Sequence, residues 1–215
     1  MLRPLLVSLA LATSAAHAAP PSVDWARGLV VAEGIGLADR HAPNPAVARG
    51  TSRRDAEIAA RKLLAAKVAT LPLATGGTVA DKAKDKAVAA RIERAITNAV
   101  VVAADPETDG AWRVTLGVPV EAIRQAIDGP RVLAVGAQDV GPAVVVVEGV
   151  AKASPAVGWS VGGLGAPTLW LAAEALPAWA KDAPRVTAKS AKAGAISVAG
   201  IDATPATLFV IITPR

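Results

Sequence analysis

The hexapeptide GWSVGG, residues 158–163, contains the spacing Gly-x-Ser-x-Gly with which serine hydrolases present their nucleophile. Such a nucleophile needs a strand before the serine, a helix directly after it, and a histidine base later in the chain. Ser160 is followed instead by glycines and Pro167, which disfavour a helix. Both histidines of the chain, His17 and His41, precede it. We therefore predict a turn at Ser160 and no catalytic residue, and keep a serine hydrolase as the least favoured alternative.

An acidic stretch, Asp105–Gly110, has residue types that open a calcium-binding loop, including a glycine where the loop turns sharply. The twelfth position of such a loop is a bidentate glutamate, but here it is Leu116. A zinc site needs several histidines or cysteines, whereas the chain has no cysteine and His41 stands alone. We predict a β-hairpin turn at this stretch, no metal and no cofactor.

The tryptophans are the remaining candidates for binding, because the chain has five of them, no tyrosine and one phenylalanine. Trp159, Trp170 and Trp179 could line a cleft for peptidoglycan or a small ligand. Alternatively, such scattered rings serve as core residues or partly buried anchors. The basic residues are mixed with acidic ones and are not interleaved with aromatic rings, so we expect no nucleic-acid partner.

The N-terminus, MLRPLLVSLALATSAAHAAPP, has the features of a secretory signal peptide. Arg3 provides the positive charge, residues 5–12 form a short apolar run, and Ala16-x-Ala18 fits the small-residue cleavage pattern. The apolar run is too short to span a bilayer, and the lack of cysteine leaves no lipid acceptor. We expect cleavage after residue 18 and a periplasmic or secreted mature chain without a membrane span or lipid anchor.

The elements that would position these residues begin with a strand over residues 23–36, where Gly34 and Gly36 suggest a bulge or a close backbone approach. Apolar residues alternate along one face of this strand: Leu29, Val31 and Ile35. Asn44 and Pro45 are a typical N-cap and first residue of a helix. The helix ends before Pro72. Its apolar stripe recurs at helical spacing: Ala56, Ala60, Leu63, Leu64, Val68 and Leu71.

Ser52 and Asp55 offer a second possible start for this helix, through a capping box. A second helix is predicted over residues 79–99, with a mixed charged face typical of solvent exposure. Its apolar stripe is formed by five residues: Val88, Ile92, Ala95, Ile96 and Ala99. A β-hairpin follows with one apolar face on its second strand: Trp112, Val114, Leu116 and Val118. Residues 120–128 then predict a short helix.

The second half of the chain reads as strands, predicted over residues 131–137, 142–150, 194–200 and 207–213. Together these patterns predict an α+β fold, with two helices packed on a small antiparallel sheet and a smaller β-rich region after it. The expected organisation is a signal peptide over residues 1–18 and two regions: 19–130 for the α+β module and 131–215 for the β-rich part.

The first region resembles the LPP-twenty lipoprotein family and the FlgT-like N-terminal domain. The resemblance lies in a strand ending a-x-G-x-G at Ala32–Gly36, an alanine-rich helix over 55–64, a hairpin with Asp109-Gly110 at its tip, and a V-x-V-x-V-P strand at 114–119. It covers residues 23–120. The family carries no catalytic constellation to transfer, and the missing lipobox cysteine makes this chain a non-lipidated variant.

These observations lead to a functional expectation that involves no catalysis. We expect a periplasmic cell-envelope protein that acts through protein contacts, in envelope or flagellar assembly, with envelope proteins as partners. The alternative is a periplasmic module that binds peptidoglycan or a small ligand. The formal net charge of +5 is compatible with weak contact with anionic envelope surfaces.

Overall fold

The computed structural model describes residues 22–129, 141–151, 153–200 and 202–213. These residues form four α-helices and two β-sheets, which confirms the predicted α+β class. The predicted signal peptide lies outside the described residues. Within these ranges, no helix is both long enough and apolar enough to cross a membrane.

The first sheet is antiparallel and has four strands in the order β1-β2-β4-β3. The strands are β1 (Ser22–Asp24), β2 (Leu29–Gly36), β3 (Val100–Pro106) and β4 (Trp112–Pro119). The prediction of a single strand over residues 23–36 is therefore wrong, because these residues form a hairpin of β1 and β2. Its turn is closed by the Asp24 carboxylate, which accepts a hydrogen bond from the Arg27 N–H at 3.0 Å. Gly28 supplies the positive φ, 64°, that the turn requires.

The helix that covers this sheet is α1 (Pro45–Ala69), and it begins where the sequence predicts. The Asn44 side chain accepts a hydrogen bond from the Val47 N–H at 3.0 Å. Ser52 is not a helix start, because it is buried inside α1, with its hydroxyl 3.0 Å from the Gly110 carbonyl oxygen at the tip of the β3–β4 hairpin. The buried apolar residues of α1 belong to the predicted stripe: Ala56, Ala60, Leu64 and Val68.

The backbone of α1 lies unusually close to β2. The face of β2 that carries Leu29 is only partly buried, and the opposite face is buried. The residues of the buried face are mostly small: Val30, Ala32, Gly34 and Gly36. A Cβ added at Gly34 would lie 2.2 Å from the Ala56 carbonyl oxygen, and one at Gly36 would lie 1.8 Å from that of Ser52. The close backbone approach suggested by these two glycines is therefore present.

The predicted second helix is interrupted. It consists of α2 (Val79–Lys82) and α3 (Lys86–Thr97), because the carboxylate of Asp85 caps α3 by accepting hydrogen bonds from the N–H groups of Ala87 and Val88, at 2.7 and 3.2 Å. The predicted short helix is α4 (Val120–Asp128). α1 covers the sheet, whereas α3 packs chiefly against α4 and α1. The predicted stripe of α3 contributes three buried residues to the common core: Val88, Ile92 and Ile96.

The second sheet is mixed and has seven strands in the order β7-β6-β10-β9-β5-β11-β8. The strands are β5 (Val144–Glu148), β6 (Ser160–Val161), β7 (Leu164–Gly165), β8 (Thr168–Ala172), β9 (Arg185–Lys192), β10 (Ala195–Val198) and β11 (Leu208–Thr213). Three predicted strands are confirmed as β5, β10 and β11. The strand predicted over 131–137 lies outside the described residues. Four strands, β6 to β9, lie in segments where no strand was predicted, and Ser160, where a turn was predicted, lies in β6.

Backbone hydrogen bonds join the two sheet regions at two places. The Ala74 N–H donates to the Val157 carbonyl oxygen, and the Val157 N–H donates to that of Pro72, both at 2.9 Å. The Trp170 N–H donates to the Trp25 carbonyl oxygen at 3.0 Å. The Trp25 side chain packs against the cores of both regions, so the regions are in direct contact.

Candidate contact surfaces

Ser160 lies in β6 and is hydrogen-bonded to Gly194, the residue directly before β10. Its N–H and its hydroxyl both donate to the Gly194 carbonyl oxygen, at 2.9 and 3.2 Å. Gly162 and Gly163 have φ values of 59° and 82°, and they form the two-residue turn that leads from β6 into β7. The Gly-x-Ser-x-Gly match is therefore part of a tight hairpin, and a strand follows Ser160 where a nucleophile elbow has a helix.

The acidic stretch at 105–110 forms the turn of the β3–β4 hairpin, as predicted. The Glu107 N–H donates to the Ala111 carbonyl oxygen at 2.8 Å, and Gly110 has a φ of 85°. Leu116, at the position of a calcium loop's last ligand, is buried in the core. Across the described ranges, no group of three or more His, Cys, Asp or Glu side chains is arranged to hold a metal ion.

Of the three tryptophans considered for ligand binding, two are buried and one is exposed. Trp159 and Trp170 are buried in the core of the second region, where their ring centroids are 5.9 Å apart. The Trp159 indole N–H donates to the Ser154 carbonyl oxygen at 3.1 Å. Trp179, on a short 3-10 helix at residues 178–180, is 56% exposed. Ligand binding by these residues stays a prediction, and Trp179 is the member of the set with an accessible ring.

The edge of the first sheet exposes three adjacent valines. β3 is the last strand in the sheet order, so one side of its backbone has no neighbouring strand among the described residues. Val100, Val101 and Val102 are 54%, 49% and 46% exposed. A register shift between Val101 and Ala103 leaves Val102 without a paired residue on β4, and Pro106 interrupts the edge further along. We call residues 100–102 the valine edge; it is uncharged and open to another strand.

A second apolar surface lies between α1 and α3, which we call the helix groove. It encloses about 430 Å³, and six of the ten residues that line it are apolar. Ten residues line it: Ile58, Arg61, Lys62, Ala65, Ala83, Ala89, Ile92, Glu93, Ile96 and Thr97. Ile58 is 56% exposed. The Nε of Arg61 is buried and has no hydrogen-bond partner within the described part of the chain.

A smaller polar cavity of about 110 Å³ lies where the two regions meet, next to Arg124 and Val157. The guanidinium of Arg124 is buried and is paired with Glu121 at 2.6 Å and Asp128 at 2.8 Å. The hydrogen bonds from Arg124 to the Glu121 carboxylate raise the pKa of this arginine. Because its charge is satisfied by the chain's own carboxylates, this cluster is a structural ion-pair network.

A scan against models of known protein families gives no match for this chain, and a search of curated proteins gives none either. The two contact surfaces, the valine edge and the helix groove, are therefore defined by their geometry. Sequence reasoning did not identify either of them. The run Val100–Val102 in the sequence could have indicated the valine edge, but whether these valines are exposed depends on the order of the strands in the sheet. The helix groove depends on the distance between α1 and α3, which the sequence does not show.

Proposed function

We propose that this protein is a cell-envelope protein that acts through contacts with other proteins, in assembly or scaffolding. The observation that carries this proposal is the valine edge. An uncharged strand edge with exposed β-branched residues can be extended by a strand from a partner, whose backbone then forms hydrogen bonds with the free edge. Lysines and other charges usually protect such edges, and residues 100–102 have none.

The resemblance to the LPP-twenty family and the FlgT-like domain supports the same proposal. β2 ends in Gly34–Gly36, α1 follows, and the β3–β4 hairpin carries Asp109-Gly110 at its tip. This is the order of elements that the resemblance implies. A flagellar or other envelope assembly would supply partners of the required kind.

The location in the envelope rests on the signal peptide proposed for residues 1–18. We expect protein exported from a bacterial host to begin at Ala19, because signal peptidase cleaves after small residues at the spacing of Ala16 and Ala18. N-terminal sequencing of the exported fraction measures this directly. Recovery of the chain with Met1 intact on membrane-bound material would contradict export as proposed.

The contact function is tested by placing a charge on the valine edge. Val100→Lys is expected to lower the recovery of partner proteins from envelope extract several-fold, because a lysine at the edge opposes the addition of a strand. Partners are recovered with tagged, purified protein and quantified by mass spectrometry. Val100 is half exposed, so the thermal midpoint should change little.

Leu37→Lys is the matched control, since Leu37 is an exposed apolar residue outside β3. It should recover the same partners as the unmodified protein. If Val100→Lys and Leu37→Lys recover partners equally well, the valine edge is not the contact surface. The proposed function then loses the observation that carries it.

A further inference from the structure

The two walls of the helix groove present the same residue spacing. Apart from Thr97 at the end of α3, the lining residues of the two helices form one set on each: Ile58, Arg61, Lys62 and Ala65 on α1, and Ala89, Ile92, Glu93 and Ile96 on α3. Both sets follow the pattern i, i+3, i+4, i+7, which places side chains in one row along a helix. Helices contact other helices through rows of this kind. The groove therefore has the surface pattern that a third helix would complement.

The dimensions of the groove fit a short helical segment. Two turns of each wall face it, which corresponds to roughly 10 Å along the helix axis. Its volume of about 430 Å³ accommodates a few apolar side chains, and the half-exposed Ile58 stands at its border. An apolar helix face laid into such a groove removes these side chains from water.

The charges of the groove favour an acidic occupant. Arg61 and Lys62 both line it, and neither belongs to an ion pair among the described residues, whereas Glu93 is the single carboxylate in the lining. The Nε of Arg61 is buried without a hydrogen-bond acceptor. This nitrogen is covered by the chain's own atoms, but the residue as a whole is partly exposed. A partner's carboxylate would form a charge-assisted hydrogen bond with the accessible part of its guanidinium.

We propose that the helix groove binds an amphipathic helix of a partner protein, with apolar residues at i, i+3 or i+4, and i+7, and a carboxylate directed at Arg61. A second copy of this chain fits less well, because the apolar stripes of α1, α3 and α4 are already buried in its own core. The proposed function is contact with other proteins, and this proposal specifies that one such partner presents an amphipathic helix. It rests on the groove and not on the valine edge.

The direct test uses the full mature chain and a synthetic helix of about 18 residues. The peptide carries leucines at the stated spacing and one central glutamate, and binding is measured by fluorescence anisotropy. We expect binding, and a loss of about tenfold when glutamine replaces the glutamate, because a hydrogen bond between charged groups is lost. With Arg61→Met, the two peptides should bind equally.

Two neighbouring alanines provide matched variants. Ala65 lines the groove, whereas Ala66 is exposed on the same helix and is not part of the lining. Ala65→Glu should weaken peptide binding at least about tenfold, and Ala66→Glu should bind like the unmodified protein. Thermal melts of both variants should remain close to that of the unmodified protein, which shows that each is folded.

Several results would overturn the proposal. The proposal is wrong if the glutamate peptide does not bind, or if Ala65→Glu and Ala66→Glu bind it equally well. It is also wrong if the groove binds the fatty acid dodecanoate saturably and does not bind the peptide. Self-association that Ala65→Glu abolishes, again without peptide binding, would assign the groove to a second copy. If the peptide does not bind but Val100→Lys lowers partner recovery as expected, only the helix-groove proposal fails. Failure of this proposal can therefore be distinguished from failure of the valine-edge proposal.

Discussion

Replacing Gly36 by alanine is expected to destabilise the protein by more than about 3 kcal/mol, at the upper end of what overpacking usually costs. The added methyl carbon would lie 1.8 Å from the Ser52 carbonyl oxygen and 2.6 Å from the Ala56 backbone nitrogen. These are backbone atoms within α1, so no side-chain rotation can relieve the overlap. The helix would have to move away from β2. Urea denaturation followed by circular dichroism measures the change in free energy of unfolding.

Gly50→Ala is the control for this experiment, because it makes the same chemical change inside α1. Beyond its own helix, an added Cβ at Gly50 would meet no heavy atom of the described residues within 4 Å. The substitution should stabilise the protein by about 0.5–1 kcal/mol, since alanine favours the helix interior over glycine. Destabilisation by Gly36→Ala that is no larger than the experimental error would contradict the close packing of α1 on β2.

Leu64→Ala is expected to cost about 2–5 kcal/mol, the range for removing a buried leucine side chain and leaving a cavity. Leu64 is fully buried on the face of α1 that packs on the sheet, in one core with Leu116 of β4. A domain is stable by only about 5–15 kcal/mol, so the thermal midpoint should fall clearly. Differential scanning calorimetry measures this fall.

Leu116→Ala should destabilise the protein by a similar amount, and the double variant should be non-additive if the two residues share contacts. Lys84→Ala serves as the control, because Lys84 forms an exposed ion pair with Asp81. Exposed pairs of this kind contribute about 0–1 kcal/mol. If Lys84→Ala unfolds the protein while Leu64→Ala melts normally, the orientation assigned to α1 is wrong.

The first region was largely predictable from the sequence, because its elements bury one face each. The apolar stripe of α1 and the alternation along β4 both follow the period of their element, and both are buried as the period indicates. Asn44 and Pro45 fixed the start of α1 through local chemistry. The turn of the β3–β4 hairpin was likewise predictable from Asp109 and Gly110.

Other features depend on tertiary contacts that a local pattern does not contain. Both faces of β2 carry apolar residues, so alternation alone did not show that the face of Gly34 and Gly36 receives α1. Similarly, the polar residues of β9 are exposed and its three apolar residues, Val186, Ala188 and Ala191, are only partly buried, so its sequence resembles a polar loop. The helix groove is a space between two elements, and no residue spacing within one of them specifies its width.

The position of β11 has a consequence for the order of folding. Although β11 is the last described strand along the chain, it lies between β5 and β8 and pairs with both in parallel. Parallel partners lie far apart in sequence, so loop-closure entropy must be overcome before their contacts form. All four strands of the first sheet precede residue 120. During synthesis, which proceeds from the N-terminus, we therefore expect the first sheet to form early. β5 and its valines stay unpaired with β11 until that strand has been made, and we expect them to be most prone to aggregation in this interval.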